Sequence, residues 1–119
     1  MIETTASRRA PLSDRAASLA QMFYDRVEAT PDLEAFRFPA DDGWRSVTWR
    51  QTGETVRTLA AGLLALGVLP EQRVGILSST RVEWLQADLA IMCAGAATTT
   101  VYPTTSADDI AYILADSGS

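Results

Sequence analysis

The sequence predicts an α/β fold: a β-hairpin, then a right-handed parallel β-α-β unit with flanking helices, an incomplete part of a larger layered α/β domain. Three observations carry this. Asp41-Asp42-Gly43 separates two short stretches of alternating apolar and polar residues. Arg73 to Val101 reads as strand, helix, strand without interruption. Four Ser/Thr residues stand three positions before a Glu, Gln or Asp, each at the head of an apolar-periodic stretch, the pattern of a helix start.

The first helix is expected over Ser18–Ala29. Leu19, Met22, Phe23 and Val27 form its apolar face, Ser18 with Gln21 a capping box, and Thr30-Pro31 its end. A strand follows over Leu33–Phe38, with Phe36 and Phe38 on one side and Arg37 on the other. Asp and Gly tolerate positive φ, so the Asp41-Asp42-Gly43 tip returns the chain into a strand over Trp44–Thr48. Two adjacent Asp residues at such a tip read as a solvated turn before they read as a cation site.

Thr48 and Gln51 form a second capping box. The helix they open carries Thr52, Val56, Leu59, Leu63 and Leu66 on one stripe, with Gly67 as terminator and Pro70 forbidding continuation. Val74-Gly75-Ile76-Leu77 is apolar on both faces, as strands covered on both sides are. Thr80 with Glu83 reads as a third capping box, opening a helix from Arg81 to about Ala94 that is apolar around most of its circumference and ends at Gly95. Ala97–Val101 is rich in Thr and reads as the second parallel strand, joined by a right-handed crossover. Ser106 with Asp109 opens a last helix through Ile110, Ile113 and Leu114. Residues 1–17 are read as a disordered polar tail, and residues 18–119 as the amino-terminal portion of a larger domain. Two parallel strands are too few for a stable α/β layer, and the apolar helix needs cover on most sides.

Composition excludes several classes of function. The 119 residues carry a formal net charge of −5, against a nucleic-acid footprint. The ten basic residues are all Arg. With no Lys and no His, the commonest general base, the phosphate-binding ammonium and the commonest metal ligand are missing. Cys93 is the one cysteine and lies in an apolar run, so it reads as a buried, inert thiol. No run is long and apolar enough for a membrane span. Arg8-Arg9 resembles a twin-arginine signal, but no clean apolar core follows, and the expected location is cytoplasmic.

Two places attract functional attention. Ser78-Ser79-Thr80 leaves a strand and enters a helix, where N–H groups and the dipole favour an anion. Gly75 is the one nearby glycine, so neither a dinucleotide fingerprint nor a lysine-bearing phosphate loop is present, and capping by Thr80 is the favoured reading. Arg81, Glu83 and Trp84 cluster at the same helix start; Glu83 suits the positive dipole end and Trp84 reads as a packing aromatic. Tyr102-Pro103-Thr104-Thr105 ends a parallel strand, where open sheets hold ligands; proline geometry and hydroxyl bonds to the loop also account for it. No residue is assigned a catalytic, cofactor-binding or metal-binding role.

The ordered series of segments resembles a known family. Ala-Thr-Pro-Asp, Val-Thr-Trp-Arg-Gln, Ala-Leu-Gly-Val, Arg-Val-Gly-Ile-Leu-Ser-Ser, Glu-Trp, Cys-Ala-Gly-Ala and Val-Tyr-Pro-Thr-Thr are similar, in that order, to the start of AMP-forming acyl-CoA synthetases of the adenylate-forming superfamily. Glu83-Trp84 and Tyr102-Pro103-Thr104-Thr105 favour the long-chain fatty acid branch. Thr80 departs from the Asn common there. The resemblance implies that a whole enzyme joins a fatty acid to coenzyme A through an acyl-adenylate, using ATP and Mg. It also implies that the machinery lies elsewhere: a Ser/Thr/Gly-rich loop ending in Pro-Lys-Gly, an acidic metal ligand and a carboxyl-terminal lysine. This segment then binds no cofactor, and its partner is the remainder of its own polypeptide. Other adenylating branches (fatty acyl-AMP ligases, peptide-synthetase adenylation domains) and a non-catalytic α/β binding module are the alternatives.

Overall fold

The computed structural model describes residues 11–119. After a single 3₁₀ turn at Leu12–Asp14 the chain forms α1 (Leu19–Ala29), β1 (Glu34–Ala40), β2 (Gly43–Thr48), α2 (Trp49–Ala65), β3 (Arg73–Leu77), α3 (Val82–Cys93), β4 (Ala97–Val101) and α4 (Ala107–Ser117). Arg8-Arg9 and most of the expected tail lie outside the described residues.

The strands pair as the sequence predicts. β1 and β2 form an antiparallel hairpin from Glu34↔Thr48 to Ala40↔Gly43, with a register shift between Glu34 and Phe36. It runs further toward its tip than the hydrophobic alternation indicated, because Pro39 still pairs with Trp44. Proline is compatible with β1 because that strand has a free edge. Gly43 closes the two-residue loop at φ +127°, a conformation L side chains rarely adopt. β3 and β4 pair in parallel, in register from Arg73↔Ala97 to Leu77↔Val101. Antiparallel and parallel pairs form two separate two-stranded sheets.

The core lies among the helices. Phe23 of α1, Val56 and Ala60 of α2, and Ala90 and Ala94 at the end of α3 form one buried cluster, flanked by Val27, Trp49, Leu63 and Leu89. Three of these five are alanines, or four small residues counting buried Gly53, so the helices approach closely. A Cβ built on Gly53 would stand 2.9 Å from Val27 Cγ1. Thr52, fully buried, donates its hydroxyl to the Thr48 carbonyl at 2.8 Å and leaves no unpaired group in the contact. Aromatic rings extend the cluster to the hairpin: Trp49 lies 6.3 Å from Phe23 and 5.9 Å from Phe36, both tilted. Nothing in the hydrophobic pattern marks Trp49 for this role.

Three caps form as expected. Thr48 and Gln51 make the full reciprocal box. Ser106 accepts from the Asp109 N–H. Ser18 accepts from the Gln21 N–H, but the box there is only half made, because the Gln21 amide donates forward to Asp25 instead. Gly67 ends α2 at φ +94°, and the Val68 N–H reaches back to the Leu63 carbonyl.

Two expected apolar faces are only partly covered. On α2 the buried stripe is Thr52, Gly53, Val56 and Ala60; Leu59 and Leu66 stand exposed. On α1 only Phe23 is buried, while Leu19 and Met22 are exposed. The stripes rotate toward the small residues because those permit close helix contact, which leaves the larger leucines at the margin. Cover on β3 is uneven: Ile76 is buried, but Leu77 at its carboxyl end is exposed.

Gly53→Ala tests the helix contact. We expect a loss of about 1–3 kcal/mol, since the added methyl meets Val27 below contact distance. Urea unfolding midpoints measure it, and an unchanged midpoint would show that α1 moves away without cost.

Candidate functional site

The two segments singled out in the sequence come together at one end of the parallel sheet. Leu77 is the Cα partner of Val101, so Ser78-Ser79-Thr80 and Tyr102-Pro103-Thr104-Thr105 leave adjacent strands side by side. This is the carboxyl edge, the usual ligand end of an open α/β sheet.

At the first turn, Thr80 is not the helix cap. Arg81 occupies that position, with extended backbone (φ −153°, ψ 166°) and no side-chain cap bond. Helix α3 starts at Val82, one residue later than a Thr80 cap requires. The Ser/Thr spacing rule misplaced the start because Glu83 has a different partner. The Arg81 guanidinium grips it through Nε and Nη2, at 2.6 Å and 2.9 Å. Glu83 also takes its own backbone N–H. These bonds, the one from Arg81 foremost, hold the Glu83 carboxyl down at about 2, and Arg81 is correspondingly raised, chiefly by its bond to Glu83. Thus the anion position at the helix start is filled by a carboxylate of the chain itself. Ser78 spends its hydroxyl on the Ser79 carbonyl. Trp84 is half-buried.

The second turn is closed by its own backbone, the Thr105 N–H donating to the Tyr102 carbonyl at 3.0 Å. Tyr102 is 79% exposed and Thr105 half-buried. Cys93 lies at the other end of α3, half-buried; burial pushes its thiol up, away from the thiolate a nucleophile needs. Burial likewise raises Tyr24, with a smaller contribution from its bond to Cys93. Among the described residues no cluster of three His, Cys, Asp or Glu side chains could hold a metal ion. No helix among them is long and apolar enough to cross a membrane.

Two apolar concavities lie elsewhere. One, of about 530 Å³, is walled by Leu19, Met22, Phe36, Trp49, Leu89 and Met92. The other, of about 750 Å³, runs between α2 and β3. Neither includes any residue of the two turns. Neither is visible in the sequence pattern, since each is a place where an expected buried face lacks its cover.

A β-hairpin, a parallel strand pair and flanking helices are the arrangement of the amino-terminal subdomain of adenylate-forming enzymes. The family described as AMP-binding enzyme matches residues 23–119, and the chain belongs to it. The long-chain-fatty-acid–CoA ligase FadD15 of Mycobacterium bovis is 36% identical over 100 residues, covering 84% of this chain and 17% of the ligase. Tyrocidine synthase 2 of Brevibacillus parabrevis is 35% identical over 107 residues, 90% of this chain and 3% of the synthase. Among solved structures, the fatty acyl CoA synthetase of Mycobacterium tuberculosis superposes with a TM-score of 0.77 at 26% identity, covering 84% of this chain and 20% of that one. The chain therefore spans about a sixth of the length of the ligase it matches.

Two measurements check this edge. An NMR titration of Glu83 is expected to show its carboxyl midpoint near 2, and Arg81→Ala to return it toward the ordinary value of 4.5. Because the folded value is depressed, the stabilisation from this pair is complete above the unfolded value. It is lost as pH falls from about 4.5 through about 2. In calorimetry the 119-residue chain is expected to show no heat of ATP binding; saturable micromolar binding would show that the Ser78–Thr80 turn accepts a phosphate after all.

Proposed function

We propose that this chain acts as the amino-terminal scaffold of a long-chain fatty acid–CoA ligase and contributes no catalytic group. The observation that carries this is the self-neutralised pair of Arg81 and Glu83 at the helix start whose N–H groups and dipole would favour an anion. The residues present do not fit ATP. The sequence has no Lys, the turn has no glycine, and the dipole position holds a carboxylate. ATP, Mg and coenzyme A belong, on this reading, to residues elsewhere in a longer polypeptide. The scaffold's role is to hold the carboxyl edge of its two parallel strands against them.

The fatty acid assignment draws support from FadD15, and the peptide-synthetase relative keeps a second adenylating branch in view. An assay on the full polypeptide that carries these residues separates them. Fatty-acid-dependent consumption of coenzyme A with release of AMP is the expected result. Acyl-adenylate without thioester would move the protein to the acyl-AMP ligases, and adenylation of an amino acid would move it to the peptide synthetases.

A further inference from the structure

The groove beside α1 holds a cation in the middle of an apolar wall. Asp25 and Arg26 are the charged residues that line it. On a helix, positions three and four apart share a face. Arg26 stands three residues before Ala29, four after Met22 and seven after Leu19, and all three line the groove. Arg26 therefore projects from the centre of the helix face that forms this wall. Asp25 lies about 100° round the helix, at the margin. There its carboxylate accepts from the Gln21 amide at 2.7 Å.

Arg26 has no counter-ion among the described residues, where the ion pairs use Arg37, Arg45, Arg50 and Arg81. Helical side chains lean toward the amino end, which directs this guanidinium over the Met22 turn and away from the negative end of α1. The rest of the wall suits a flexible alkyl chain. The two methionines beyond the first residue, Met22 and Met92, both line it, and methionine adapts its shape to a guest. Phe36 and Trp49, with ring centroids 5.9 Å apart, add apolar rings opposite. At about 530 Å³ the groove falls within the size of small-molecule sites, roughly 300–1,000 Å³. One guanidinium matches one carboxylate, which it can grip through two nitrogens. A more highly charged head fits less well, because no second cation lines the groove and Asp25 repels the extra charge.

We propose that this groove is a binding site for a single-chain alkyl carboxylate, with its head on Arg26 and its chain between Met22 and Met92. The head neutralises Arg26, and the chain covers Leu19 and Met22, which are 58% and 55% exposed. The site includes no residue of the two turns at the carboxyl edge, and the inference does not depend on the proposed function.

The test reads the groove directly. The full polypeptide that carries these residues is labelled at its methionine methyl carbons, and Met22→Leu and Met92→Leu assign the two NMR signals. Dodecanoate, added below its micelle concentration, is expected to shift both signals saturably. Decanoate is expected to bind more weakly, by up to about fourfold per methylene removed. Arg26→Gln is expected to weaken dodecanoate at least about tenfold and leave dodecanol unchanged, while Arg26→Lys recovers part of the loss. Unmoved methionine signals overturn the proposal, and so do signals that move only above the micelle concentration. Dodecanol binding the unsubstituted polypeptide as tightly as dodecanoate also overturns it, a comparison that stands even where an Arg26 variant fails to fold. Tighter binding of dodecyl phosphate overturns the carboxylate and assigns the groove to a phosphate-headed lipid. Acyl-CoA synthesis with unmoved signals sinks this inference alone. Saturable shifts in a polypeptide that makes no acyl-CoA sink the proposed function and leave this site standing.

Discussion

Everything in this molecule hangs from the close contact of three helices at small residues. Gly53 and Ala60 of α2 let α1 and α3 approach until Val27 and the Ala90–Ala94 stretch fill the gap. That contact fixes α3, and α3 is the crossover that sets β3 beside β4. It also presents Trp49 at the start of α2, where the ring bridges Phe23 to Phe36 and ties the hairpin to the helical layer. The Trp49 and Arg50 amides donate to the Leu33 and Pro31 carbonyls, so the hairpin's first strand is anchored by backbone as well as by ring contact.

Local signals were legible in the sequence because local chemistry decides them. The Thr48–Gln51 box needs only two side chains three residues apart, and it forms in full. Ala97–Val101 was readable because β-branched side chains pack well on a pleated surface. The rotation of the α2 stripe was not legible. Periodicity marks Leu59 and Leu66 as core by hydrophobicity alone, whereas the structure ranks positions by how near a second backbone can come. Gly53 is invisible to a count of apolar residues, yet it sits at the tightest point.

The site was legible in place and misread in detail. The strand–helix–strand pattern put Ser78–Thr80 and Tyr102–Thr105 each at a strand exit, and the pairing of Leu77 with Val101 brings them to one edge. The cap at α3 failed because a Ser/Thr-to-Glu spacing says nothing of a competing Arg between them. Arg81 and Glu83 are two residues apart, and a guanidinium that takes both carboxylate oxygens outweighs a hydroxyl that would take one N–H. The family resemblance rested on the order of many short segments, so one misplaced cap did not disturb it.

That ion pair has a consequence for how the edge meets its surroundings. Its two charges cancel within a few ångströms, so their joint field fades well inside the screening length of about 8 Å in physiological salt. A polyanion drifting toward the carboxyl edge is neither drawn to this turn nor turned aside by it. This turn is an electrostatically quiet part of the rim, which leaves the steering of a charged substrate to the groups around it. It also frees the turn's remaining hydroxyl residues to vary in sequence without changing what the edge attracts.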